Sequence, residues 1–191
     1  MKISKNYSTE DWIKLKFNSE QDWEEACKIF YDRFNSRFLK PVEMIEDYEF
    51  SGFAIMALDC LLIETYQQFL NGEKESKYGS EENFKQFFNN TNFKEDFDDE
   101  KAKMFYKQIR CGILHQAETK KSSKIKMSPE LPIVKFTKGK DGLIINRKKF
   151  HKKLISIIDS YIEDLKNPSN EDLRKYFRKK MNYICRFNYN E

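Results

Sequence analysis

Arg110 and His115 stand five residues apart in the stretch Phe105 to Glu118. An imidazole titrates near neutral pH and can take or give a proton. A guanidinium stays charged and can grip two phosphate oxygens at once. That pairing suits chemistry at a phosphodiester. RNA brings its own nucleophile, the 2′-hydroxyl, so cleavage by transesterification asks for a base, an acid and positive charge on the phosphorane. It asks for no metal and no cofactor. One histidine cannot easily serve as base and acid together, and a two-fold dimer would supply two of each residue at a shared seam.

The surrounding residues place this pair on a helix. Ala102, Phe105, Tyr106, Ile109, Ile113, Leu114 and Ala117 recur at helical steps and predict its buried stripe. Five helical residues span about 7.5 Å of rise and about 140° of rotation. The two side chains are therefore not stacked, but an arginine is long enough to swing toward the imidazole. Gly112 lies between them. A glycine inside a helix costs about 1 kcal/mol relative to alanine, which predicts either a bend or the close approach of another backbone.

Upstream, Asp98, Asp99 and Glu100 suit a helix start rather than a divalent site. Pro41 fits the first turn of a helix running to about Leu70 and capped near Gly72. From Phe53 onward that helix is apolar on most faces, as a central helix is, and it carries Glu64. Ser19 caps a helix whose stripe is Trp23, Cys27, Phe30, Tyr31 and Phe34. Residues 12–17 partly alternate and predict a short edge strand, and Ser80 starts a helix to about Asn89.

Downstream, residues 119–130 read as a basic loop. Pro132 to Thr137 and Leu143 to Asn146 read as a hairpin. A helix over 147–166 carries Phe150, Leu154, Ile157, Ile158, Tyr161 and Leu165 on one side. Asn167 and Pro168 break it, and Ser169 caps a last helix to about Cys185.

Within this frame the sequence resembles the HEPN family (higher eukaryotes and prokaryotes nucleotide-binding domains). Arg110 to His115 matches the family's R-x4-6-H motif, late in the domain. The apolar helix Gly52 to Glu64 looks like the family's core helix with an embedded acid. The likeness covers about residues 20–166, and only the motif segment is specific. It implies an all-α, HEPN-like helical bundle with a small β-hairpin inserted before the penultimate helix. It also implies a homodimer whose paired motifs form a metal-independent RNase site, in a family where many members serve toxin–antitoxin or phage-defence systems. Arg110 would then bind the scissile phosphate, His115 would transfer protons, and Glu64 would orient one of them. The partners so implied are RNA, a second copy of the chain, and an antitoxin or regulatory protein. The family usually has Asn, Asp or His directly after the arginine, where this chain has Cys111, a poor hydrogen-bond donor. That departure keeps a non-catalytic nucleotide-, RNA- or protein-binding module open beside the enzyme.

Charge bears on the substrate. The 191 residues carry a net +4, but 120–153 hold twelve Lys or Arg against two acids, while 1–119 hold 16 basic and 23 acidic residues. The basic block begins just past His115. It reads either as an electrostatic footprint for RNA, with Lys120, Lys121, Lys124, Lys126, Arg147 and Lys148 as contacts, or as a solvated lysine-rich surface. His151 reads as a boundary histidine or an RNA contact. Arg174, Lys175, Arg178, Lys179 and Lys180, interleaved with Tyr176, Phe177 and Tyr183, read as a base-stacking surface or as a helix docked by its aromatics.

Composition sets the outer bounds. Only 6 Gly and 4 Pro favour long helices, and 17 Phe with 10 Tyr supply core bulk despite 35% charged residues. The length fits one domain over 1–191, with a core of about 20–166 and a C-terminal helix of about 169–186. No uninterrupted apolar run approaches the roughly 20 residues that cross a bilayer, and Met1 to Phe17 lacks a signal-peptide core. The expected location is cytoplasmic, with no membrane partner. Cys27, Cys60, Cys111 and Cys185 form no C-x-x-C pair and no zinc spacing, which predicts free thiols.

Overall fold

Helices dominate the chain, as the scarcity of Gly and Pro requires. In this computed structural model, which describes residues 1–75 and 80–186, they run in the order α1 (Thr9–Ile13), α2 (Glu20–Phe34), α3 (Lys40–Ile45), α4 (Gly52–Asn71), α5 (Ser80–Asn90), α6 (Asp99–Met104) and α7 (Cys111–Gln116). Three short strands follow, β1 (Lys124–Lys126), β2 (Val134–Phe136) and β3 (Leu143–Asn146). Helices α8 (Arg147–Lys166) and α9 (Glu171–Ile184) come last among the described residues.

The packing resolves into two units, one built from residues 1–44, 68–75 and 158–186, the other from 45–67 and 80–157. Phenylalanine fills both. In the first, Phe30 meets Phe34 at 4.4 Å, Phe69 at 4.8 Å and Phe177 at 5.4 Å between ring centroids. In the second, Phe88 stacks on Phe97 at 4.0 Å and Phe105 on Phe150 at 5.2 Å, and all four are buried. Such pairs add about 0.5–1.5 kcal/mol each beyond the area they bury.

Several expectations are met. Ser19 accepts from the Asp22 N–H at 3.3 Å and caps α2. Asp98 caps α6 by accepting from Lys101 N at 2.8 Å. Gly72 closes α4 in the left-handed region, φ 62°. The hairpin forms, with Val134 opposite Ile145 in antiparallel register.

Others are corrected. Residues 12–17 form no strand: Ser8 gives its N–H (2.8 Å) and hydroxyl (2.9 Å) to Asp11, and this reciprocal cap starts α1 instead. A third strand lies inside the expected basic loop, β1 pairing parallel with β3. A single apolar residue, Ile125, gave it no readable alternation. Pro41 does not open a helix. It sits in a continuous one, just past the π-helical turn Asn35–Leu39, whose wider ladder suits a residue without an N–H. That helix stops at Ile45 and resumes at Gly52, because the carbonyls of Glu46 and Tyr48 turn to the buried Arg147 guanidinium at 3.2 and 2.8 Å. Asn170, not Ser169, precedes the last helix. Asn167 Oδ1 accepts from Ser169 N–H at 3.0 Å and holds that residue in the turn. Tyr31, Leu114 and Ala117, expected in buried stripes, are exposed.

Helix α4 is apolar all round yet not enclosed. Averaged over 18 residues, the segment Glu49–Asn71 reaches a mean hydropathy of 1.2, enough by length and composition alone to cross a membrane, with 44% of that window buried in the protein. Ala54 and Leu61 on it face solvent.

Candidate active site

The helix carrying Arg110 and His115 is interrupted by a π-helical turn, Phe105–Arg110, in which the Cys111 N–H reaches back five residues to the Tyr106 carbonyl. The Gln108 carbonyl instead accepts from the Lys120 N–H at 2.9 Å. The chain reaches Lys120 because Ala117 adopts a left-handed conformation, φ 53°, ends α7 and turns back. Residues 118–120 then lie directly on Gly112. A Cβ there would stand 2.5 Å from the Glu118 carbonyl oxygen and 3.2 Å from Lys120 N. Of the two readings of this glycine, close backbone approach is the one found. Ser123 completes the anchor. Its hydroxyl accepts from Leu143 N–H at 2.9 Å and donates to Gln108 Oε1 at 2.7 Å.

On this support three side chains meet. Arg110 donates from Nε to Glu64 Oε1 at 2.8 Å, and its Nη2 lies 2.7 Å from the same oxygen. Nη1 lies 3.4 Å from His115 Nε2, and the Tyr106 ring faces the guanidinium at 5.5 Å. Glu64 thus orients the arginine. A guanidinium can only donate, so Nε2 is the acceptor in this contact and the ring carries its proton on Nδ1 there. Burial by itself pulls the Arg110 pKa down. The charge and hydrogen bond of Glu64 outweigh it, and the group ends above its usual value. The Arg110 and Glu64 side chains are 15% and 18% exposed, whereas His115 is open to solvent. Glu64 occupies one edge of the guanidinium, and hydrogens remain on both terminal nitrogens for a further anion.

The other expected contacts separate into two groups. Lys121, Lys124, Lys126 and Lys148 are exposed and Lys120 is half-buried, with Lys148 paired to Asp47. Arg147 is 1% exposed and is withdrawn from any surface role, since burial was invisible from its place in a lysine run. On α9, Arg174 and Lys180 are buried as well. Arg174 holds Glu20 with both terminal nitrogens at 2.7 and 3.1 Å, and Lys180 donates to Gln68 and to the Lys74 carbonyl. Phe177 is buried beside them and docks that helix, while Tyr176 is half-buried and Tyr183 exposed.

A second pair escaped the sequence reading. His151 is buried, and its Nδ1 lies 2.6 Å from Oδ1 of the fully buried Asp59. The signal was available, because an acid in so apolar a helix requires a partner. Burial raises the Asp59 pKa, and His151 offsets only part of the shift. A raised carboxyl pKa favours the folded state below the unfolded value and loses that contribution as pH climbs through the folded value. The stability of wild type minus that of Asp59→Asn is therefore expected to fall with rising pH above about 4. Urea unfolding of both proteins across that range checks it, and parallel pH profiles would sink it.

No family model, curated protein or solved structure matches the chain. Among the described residues, no group of three or more His, Cys, Asp or Glu could hold a metal ion. A cleft of about 530 Å³ in the unit that contains α9 is bordered by Glu24, Asp32, Asp159 and Glu163 against Lys28 and Lys166, an acidic balance that disfavours a polyanion.

Proposed function

We propose that the chain is a HEPN-type endoribonuclease that acts as a homodimer without a metal cofactor. The observation that carries this reading is the Arg110 guanidinium held by Glu64 and touching a solvent-open His115. His115 takes the proton of the 2′-hydroxyl as the 2′-oxygen bonds to phosphorus. The bond from phosphorus to the 5′-oxygen breaks, and His115 of the second copy gives that oxygen its proton. Arg110 neutralises the charge gathering on the phosphorane. The products are a 2′,3′-cyclic phosphate and a 5′-hydroxyl.

Exposed apolar side chains beside the site support the dimer. Leu61, 43% exposed, lies one turn before Glu64, and Leu114, 46% exposed, adjoins His115. A second copy laid on this face would bury them and bring in the second histidine. In this reading the protein acts in the cytoplasm, as a toxin or phage-defence effector held in check by an antitoxin or regulatory partner. Cys111 after the arginine favours the alternative, a HEPN module that binds RNA, a nucleotide or a protein without cutting.

The deciding experiment is incubation of purified protein with varied RNAs in EDTA. Cleavage leaving 2′,3′-cyclic phosphate ends is expected. A folded dimer that cuts none of them would leave the binding module.

A further inference from the structure

One turn before Arg110 on the same helical stretch, a cleft of about 310 Å³ opens between that helix and two loops, in the size range of small-ligand sites. Lys103 and Lys107 line it from the helix, Lys121 and Lys140 from the loops, with Gln108 at its wall. Two carboxylates, Glu100 and Asp141, also border it. Asp141 is engaged by the loops themselves, accepting from the Thr137 hydroxyl at 3.0 Å and from Ser122. That bridge clamps the two loops together. Both loop lysines stand in the left-handed region, φ 55° each, a conformation uncommon for residues with a side chain.

Gln108 points to the ligand. It is 6% exposed. Ser123 receives Leu143 N–H, so its own proton goes to Gln108 Oε1, which fixes the orientation of the amide. The group left for the cleft is the Nε2 amide, a pure donor. Four cations, of which Lys107 also lies 3.7 Å from Glu81, outnumber the two bordering carboxylates and with a preset N–H donor select an anion with several oxygens.

We infer that this cleft is a subsite for a backbone phosphate of the RNA strand, next to the phosphate held by Arg110. The inference takes its substrate from the ribonuclease reading and adds Lys103, Lys107 and Lys140 to the contacts. Lys107 lies three residues before Arg110, about one turn along the same helical stretch, so a strand in the cleft runs on toward the reacting site. The lysines act as point charges that hold phosphate without reading bases.

The test is binding, kept apart from cleavage. Fluorescently labelled single-stranded RNA is titrated into full-length protein carrying His115→Ala, over a series of salt concentrations. Adding Lys103→Gln with Lys107→Gln is expected to reduce the slope of log affinity against log salt by about 1.4 and to weaken binding about 10- to 30-fold at 0.1 M salt. Both lysines are exposed, so the melting temperature should not move. Lys175→Gln with Lys179→Gln, on the exposed side of α9, removes the same charge and is expected to change the slope far less. Equal losses from both pairs would reduce the effect to net charge and overturn the subsite, as would an unchanged slope. Inorganic phosphate serves as a competitor. If Lys103 and Lys107 govern its binding but not that of RNA, the cleft takes a free phosphate and the RNA assignment is wrong. If the binding results hold and wild type cuts nothing, the subsite stands and the catalytic reading fails alone.

Discussion

Replacing His115 with alanine is expected to slow RNA cleavage about 10²- to 10⁴-fold, the usual contribution of a positioned proton-transfer group. The residue is exposed and ends a short helix, so the unfolding midpoint should stay close to that of wild type. Arg110→Ala should cost at least as much in rate, because it removes the charge on the phosphorane and leaves Glu64 without its partner. Arg110→Lys restores charge but not the fork that reaches Glu64 and His115 together, and only a minor part of the rate should return. Glu64→Gln separates positioning from chemistry. It keeps an acceptor for Arg110 and removes a negative charge beside the phosphate site, so a rate change larger than any change in RNA affinity marks loss of orientation. Single-turnover cleavage with anisotropy binding on the same variants makes the distinction. Full cleavage by His115→Ala would place the activity elsewhere or in a contaminant.

The second large effect concerns stability. Arg147→Leu is expected to destabilise the protein by about 2–4 kcal/mol, since hydrogen bonds from a charged donor contribute about 1.5–3 kcal/mol each. Its guanidinium donates to the carbonyls of Glu46 and Tyr48 at 3.2 and 2.8 Å and reaches that of Glu49 at 3.5 Å, across the break that precedes α4. Desolvation works the other way, pulling the Arg147 pKa down, and leucine relieves that cost. The Tyr48 carbonyl keeps the Ser51 N–H at 3.2 Å and the Ser51 hydroxyl at 2.8 Å, so the loss falls mainly on the Glu46 carbonyl and on the packing around the vacated guanidinium. Urea unfolding should show the loss, while RNA affinity per folded molecule stays unchanged. A variant of normal stability that binds RNA poorly would mean instead that Arg147 belongs to the RNA surface.

The contrast between Arg147 and Lys148 shows where sequence reading reaches its limit. Both sit in one basic run, yet one is buried and the other exposed. Helical phase decides which, together with the gap that the turn at 46–51 leaves to be filled. The same holds for α9, where alternating cations and aromatics conceal that Arg174 and Lys180 serve the interior. Helix identity was legible, because periodicity and capping are local. Ser19, Asp98 and Gly72 act within a few residues of themselves. The strand β1 was not, since its pairing with β3 is non-local and its own pattern holds a single apolar residue.

By itself, the sequence determined a chain of helices with a hairpin before α8, an arginine and a histidine close enough on one helix to touch, and a glycine between them that called for either a bend or another backbone. Those are consequences of spacing. Only the tertiary structure decided that Glu64 grips Arg110 rather than His115, that Gln108 pins the returning loop, and that Lys103 and Lys107 share a cleft with Lys121 and Lys140. Each of these joins residues from separate elements, and a side chain's partner across such a distance is fixed by packing and by the demand that buried polar groups be satisfied, which no local pattern encodes.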